Sequence, residues 1–153
     1  VERQIRASFG YAFEEVEQTH QGAIPQPDFR RITTAPSGLL VERILPIRLK
    51  PGPRSYVLGF RVGKIAYCTD TNQIPADSWP LLEGLDILVL DALRDRPHVT
   101  HFSLDQAIEV VHRVNPQRAI FTHVCHELEH VATNARLPTG IELGYDGMRF
   151  PLS

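Results

Sequence analysis

The run Asp86-Ile-Leu-Val-Leu-Asp91 constrains the fold more than any other part of this chain. Its four apolar residues are closed at both ends by carboxylates. As a helix it would be little more than one turn; as a strand it is of ordinary length. A nearly continuous apolar run of this kind predicts a strand buried on both faces. Such a strand needs cover on each side, and the next clear element supplies some. Ser103–Val114 reads as a helix, with Ser103 as its cap and Gln106 three residues on completing a capping box. Leu104, Ala107, Ile108 and Val111 fall on one stripe at helical spacing, and Pro116 stops it. A buried strand followed by an amphipathic helix points to an α/β fold.

The remaining elements extend that reading. Val1–Phe9 fits a short helix, and Gly22–Pro27 is a loop because proline restricts both itself and the residue before it. Ala35-Pro36-Ser37-Gly38 is a turn signal. Leu39–Leu49 reads as one strand, closed by Lys50-Pro51-Gly52-Pro53. Ser55–Val62 and Lys64–Thr69 form a hairpin around Gly63. Pro75–Glu83 is a short helix or turn, Arg118–Thr122 a strand and Glu127–Arg136 a second helix. Ile141–Leu143 and Met148–Pro151 flank the hairpin-type turn Tyr145-Asp146-Gly147. The order predicts a mixed sheet with helices on one face, and two segments: a helix and loop over residues 1–37, then a body over 38–153.

The residues able to do chemistry gather where strands end. Asp70 follows an apolar strand; a carboxylate there can bind a cation, or simply start a turn. His123 ends the strand Arg118–Thr122, and a neutral imidazole is a good ligand for zinc, manganese or iron. His126 and His130 follow it. Were that stretch all helix, the three would share a face and hold a metal by themselves. With His123 ahead of the helix, His126 and His130 instead support the ligands from behind or lie on the surface. His98 and His101 sit in the loop between the buried strand and the capped helix, where α/β proteins form clefts. His101 could donate to a phosphate oxygen or act as a general acid, beside a helix N-terminus that favours anions. Asp91, costly to bury alone, could orient a ligand histidine through its other ring nitrogen.

In this order, Leu58-Gly59-Phe60-Arg61, Tyr67-Cys68-Thr69-Asp70, Leu88-Val89-Leu90-Asp91-Ala92, Thr100-His101-Phe102-Ser103, Thr122-His123-Val124-Cys125-His126, Leu137-Pro138 and Tyr145-Asp146-Gly147 form a set. From about Leu39 to its end the chain resembles the C-terminal half of the PhnP-like, phosphodiesterase-like branch of the metallo-β-lactamase superfamily. The resemblance implies half of an αββα sandwich and a site for two ions of zinc or manganese that activate water against a phosphodiester. It implies that Asp70 is the bridging carboxylate, that His123 is a ligand of the second metal, and that His101 is the catalytic group facing the phosphate or leaving oxygen. His98, Asp91 and His126 then serve as supporting or substrate-binding groups. The family's His-x-His-x-Asp-His motif does not occur in these 153 residues, and Pro51 stands where relatives often carry histidine. The expectation is therefore a partial domain, inactive alone, acting on a small phosphodiester once completed. The alternatives are a non-catalytic binding or assembly module, and a local metal binder built on His123, His126 and His130.

Composition narrows the partners. The net charge of −2 gives no basic surface for a nucleic-acid backbone. No apolar run approaches the roughly 20 residues of a membrane span, and no signal peptide opens the chain. Two cysteines, Cys68 and Cys125, fit a reducing, cytoplasmic compartment. A sandwich half without its partner sheet would expose an apolar face of several hundred Å², on the order of the largest patches monomers tolerate. Light scattering at low concentration should therefore show self-association or a bound polypeptide; a compact monomer that binds no hydrophobic dye would sink that expectation.

Overall fold

The computed structural model describes residues 1–13, 27, 29, 31–39, 42–52 and 56–150, and divides the chain into two compact units, Val1–Ile32 and Thr33–Ser153. In the first, α1 (Glu2–Ser8) carries an exposed Arg6–Glu2 pair at 3.0 Å and is followed by a 3-10 turn over Gly10–Ala12. The Arg6 guanidinium also lies over the stacked rings of Phe13 and Phe29. This is the short helix the sequence predicts; most of the expected Gly22–Pro27 loop lies outside the described residues.

Seven strands form one sheet in the second unit, in chain order: β1 (Ser37–Leu39), β2 (Glu42–Leu49), β3 (Val57–Val62), β4 (Ile65–Cys68), β5 (Ile87–Asp91), β6 (Arg118–Thr122) and β7 (Ile141–Leu143). The first four pair antiparallel, and β4 to β7 pair parallel. Gly63, at φ +55°, turns the β3–β4 hairpin. Parallel neighbours need crossovers. A 3-10 helix (Ala76–Leu82), then α2 (Leu104–Val114) and α3 (His130–Asn134) lie in the three crossing segments.

Side-chain alternation sorts the sheet into two faces. Ala66, Leu88, Ala119 and Ile141 stand level across four strands, as do Cys68, Leu90, Phe121 and Leu143. All eight join one buried core with Leu104, Ala107, Val110 and Val111 of α2. The capping box holds: Ser103 Oγ accepts from the Gln106 N–H, and Gln106 Oε1 from the Ser103 N–H. Asn115 ends the helix in the left-handed conformation. Arg113 sits 3.6 Å over the Trp79 ring, tying α2 to the 3-10 helix. Arg61 donates to the carbonyls of Leu81 and Glu83 at 2.8 Å, holding that helix's end against β3. The other face carries Phe60, Tyr67, Val89 and Ile120 in register, with Tyr67 half exposed.

Four local expectations are corrected. The single strand Leu39–Leu49 is two strands, β1 and β2, paired antiparallel with Leu39 opposite Glu42. Ser37 and Gly38 belong to β1 rather than to a turn. The helix expected over Glu127–Arg136 starts only at His130, because the Glu129 carboxylate accepts from the N–H groups of Val131 and Ala132 and caps it there. The Tyr145 turn forms, with Met148 N–H donating to the Tyr145 carbonyl, but no strand covers 148–150; Pro151 lies outside the described residues.

Gly59 is closely packed between β3 and its neighbours. A Cβ there would meet the Tyr67 carbonyl oxygen at 2.8 Å, Leu49 Cδ1 at 2.9 Å and Cys68 Sγ at 3.1 Å. One of these contacts is backbone, so relief requires the strands to separate. Gly59→Ala should cost about 1–3 kcal/mol, as overpacking does, read as a lower denaturant midpoint at unchanged slope.

Candidate metal centre

Three parallel strands end at the same level, and each delivers a polar residue there. β4 runs through Thr69 to Asp70, β5 ends in Asp91, and β6 runs directly into His123. Crevices beyond the carboxyl ends of parallel strands are where open α/β sheets bind ligands. Asp70 and His123 both sit in the left-handed region, at φ +64° and +59°. A side chain there costs roughly 1–2 kcal/mol relative to ordinary backbone. The kink turns the chain sharply at the strand end.

His101 reaches the same place from the loop before α2. Phe102 fixes it: its N–H donates to the Thr71 carbonyl at 3.0 Å, and its own carbonyl accepts from Leu93 N–H at 2.9 Å. The loops after β4 and β5 are thus stitched together one residue from His101. Cys125 N–H donates to the Leu93 carbonyl and brings the β6 loop into the same seam. One ligand atom each from Asp70, His101 and His123 then lies within 4.8 Å of the others. The His101 ring packs between His98, at 5.0 Å, and His123, at 4.8 Å. His98 is held in turn by Thr100, whose N–H and hydroxyl meet its Nδ1 at 3.3 and 3.2 Å.

Asp91 is fully buried beneath this cluster. Its Oδ1 accepts a long bond from Thr71 N–H at 3.4 Å, while Oδ2 has no hydrogen-bond partner. His101 Nδ1, also buried and unpaired, stands 3.6 Å away, beyond hydrogen-bond length. The same nitrogen is 3.6 Å from Asp70 Oδ1. Burial pushes the Asp91 carboxyl up to about 7, against the pull of backbone bonds from Phe102 and Thr71. Burial and the nearby His123 hold His101 below the usual histidine range. Burial, then the charge of Asp91, drives the Cys68 thiol up to about 12, so it is an inert packing residue. Neither cysteine is in a disulfide.

Of the residues the sequence singles out, the structure brings together Asp70, His101 and His123, with Asp91 and His98 against His101. His126 is exposed in the turn after β6, and His130 contacts Asn134 and the edge of Tyr145. Among the described residues neither joins a metal-competent group. Sequence reasoning misses Thr71 and Asn72. The Thr71 hydroxyl accepts from Lys50 N–H at 3.1 Å, and Asn72 accepts from Gly52 N–H and donates to the Val99 carbonyl at 3.0 and 2.6 Å. Together they tie the loop after β2 to the one carrying His98 and His101. The only signal for them is position, directly after Asp70.

One carboxylate and two imidazoles suit a zinc or manganese ion, and the unpaired buried atoms of Asp91 and His101 fit a site whose polar groups are arranged for something beyond each other. The family model for the beta-lactamase superfamily domain matches residues 1–124. The chain belongs to the metallo-β-lactamase superfamily. Within it the chain is PhnP-like, since it overlays the crystal structure of a diphosphatase from the PhnP family with a TM-score of 0.83 at 35% identity. That match covers 96% of this chain and 53% of the diphosphatase. The fold is shared with the metallo-β-lactamase-fold protein YhfI of Bacillus subtilis, with a TM-score of 0.64 at 14% identity, over 93% of this chain and 59% of that one. It is shared too with the short form of human tRNase Z, with a TM-score of 0.57 at 19% identity, over 72% and 44%. An octanoyltransferase of Porphyromonas gingivalis is 31% identical over 108 residues, which is 67% of this chain but 21% of that protein. The chain thus spans about half the length of these structural relatives, and about a fifth of the octanoyltransferase.

Asp91 gives the metal-free protein a defined pH dependence. Its carboxyl titrates higher folded than unfolded, so the folded state holds the extra proton between about pH 4 and pH 7. Stability falls as pH rises through that window, by at most about 4 kcal/mol for a shift of this size. Urea melts of chelator-treated protein should show this decline between about pH 4 and pH 7, and Asp91→Asn should flatten it. An equal slope in both proteins would show that Asp91 is ionised at little cost.

Proposed function

We propose that this chain is the part of a metal-dependent phosphoesterase that carries the bridging carboxylate and the phosphate-facing histidine. The observation that carries this reading is the convergence of Asp70 after β4, His123 after β6 and His101 on the loop before α2, in a chain of the metallo-β-lactamase superfamily. Asp70 and His123 would hold the metal, zinc or manganese. When bound, such a cation supplies Lewis acidity and a water acidic enough to attack as hydroxide near neutral pH. His101 keeps Nδ1 toward Asp91 and Asp70, which leaves Nε2 to meet a phosphate or leaving-group oxygen. Its depressed basicity favours the neutral ring, which adds no positive charge beside a cation. Asp91 lies beneath its ring, 3.6 Å from Nδ1, and His98 stacks against it.

The substrate in this reading is a small phosphodiester or diphosphate; the diphosphatase relative supports the class. Two or three ligands do not make a catalytic site for two metals, and Pro51 offers no ligand atom. Residues 38–153 are then a half-domain, preceded by residues 1–37, and its remaining ligands come from another segment or a second copy of the chain. A cytoplasmic setting fits the two free cysteines; no described helix is long and apolar enough to cross a membrane. Among the described residues, no observation favours a self-contained site on His123, His126 and His130.

Metal analysis tests this. After chelation and reloading with zinc or manganese, His123→Ala should lower metal affinity at least about tenfold, while His130→Ala should leave it unchanged. Loss with both variants would favour the local histidine cluster. Absence of metal in the parent protein, with no hydrolysis of bis(4-nitrophenyl) phosphate, would leave the binding-module alternative.

A further inference from the structure

The segment between β5 and His98 carries alternating charges, Arg94, Asp95 and Arg96, and each is paired with the chain that follows His123. Glu127 Oε1 lies 3.7 Å from Arg94 Nη1 and accepts from Arg96 Nη2 at 2.7 Å. Asp95 Oδ1 accepts from Arg136 Nη2 at 2.6 Å. Arg94 also binds its own loop. Its Nε donates to the Arg96 carbonyl at 3.3 Å and its Nη2 to the Pro97 carbonyl at 3.2 Å. Its carbonyl accepts from Leu104 N–H at 2.9 Å, where it bridges Ser103, the cap of α2. The loop over 95–102, which carries His98 and His101, thus leaves from Arg94 and returns to it. The Arg94 side chain is only 23% exposed, low for arginine.

We infer that Arg94 is a positioning residue of the centre, and that Glu127 is the counter-charge through which it holds the His98–His101 loop against the loop of His123. This rests on the proposed function for what the histidines bind, but not for the clamp itself. Arginine suits the place. Its planar fork of fixed donors serves two carbonyls and a carboxylate together, which the single ammonium of lysine does not. An isolated surface ion pair holds little, but two guanidiniums sharing one carboxylate, one of them anchored on backbone, form a network. The need for a clamp lies in His101. Its Nδ1 makes no hydrogen bond among the described residues, so the ring depends on the loop that carries it. His123 is bound into the same seam two residues on, where Cys125 N–H meets the Leu93 carbonyl.

Histidine-ring NMR spectra and zinc titrations of the full chain test the assignment. Arg94→Gln should move the ring resonances of His98, His101 and His123, and leave that of His112, exposed on α2, in place. The same variant should bind zinc roughly fivefold more weakly. Charge alone predicts the opposite, because removing a cation near a bound cation tightens its binding. Arg94→Lys keeps the charge without the fork and should recover only part of the loss. Arg94→Gln combined with Glu127→Gln should cost less than the sum of the two, since either alone opens the clamp. If Arg94→Gln does not fold, Arg96→Gln, at an exposed side chain, should give the same ring shifts and weaker zinc binding to a smaller degree. If the parent takes up no zinc, the metal reading falls and the ring spectra still decide the clamp. Unmoved His101 and His123 rings in a folded variant, or zinc bound as tightly as in the parent or tighter, overturn the inference.

Discussion

The parallel register of β4, β5 and β6 is the constraint on which the site depends. Cys68, Leu90 and Phe121 stand opposite one another, so Asp70, Asp91 and His123 emerge together one or two residues later. A slip of one residue between β5 and β6 would move His123 by about 3.3 Å along the strand. It would also turn Ala119 and Phe121 out of the core. The alternation that buries these residues therefore also places these polar side chains. Packing against α2 and placement of polar groups at the strand ends are one specification, written in alternate residues of the same segments.

Asp91 shows what that arrangement costs. A carboxyl in the core is a poor choice for stability alone, and its incomplete bonding to Thr71 compensates only in part. Under the proposed function its position gives it a use. It lies beneath His101, the residue that arrives on a loop and most needs a support. Buried polar groups arranged for a partner outside the chain trade stability for readiness. The same economy holds for the Thr71 and Asn72 bridges, which spend side-chain hydrogen bonds on holding loops rather than on closing strands.

Much of this was legible in the residues, for identifiable reasons. α2 was readable because Ser103 and Gln106 announce its start and the apolar stripe fixes its face. β5 was readable because a short apolar run has few other uses. The meeting of Asp70, His101 and His123 was foreshadowed because strand ends and helix starts are where polar side chains converge. The break between β1 and β2 was not, because apolar residues run through it without a turn residue. The shortened α3 was not, because its start is set by Glu129 acting as a cap, a role glutamate plays less often than serine or aspartate. Thr71 and Asn72 were invisible because their partners are backbone atoms of distant loops, which leave no pattern in sequence.

The left-handed backbone at Asp70 and His123 has a consequence for descent. At an ordinary surface position a residue can drift to almost any other. Here the permitted set is narrow: glycine without strain, asparagine or aspartate at modest strain, and β-branched residues scarcely at all. If Asp70 and His123 hold a metal as proposed, a lineage that abandoned it would therefore show glycine or asparagine at these two places rather than a scatter of replacements. The peptide geometry would outlast the chemistry it was shaped for, and mark where that chemistry had been.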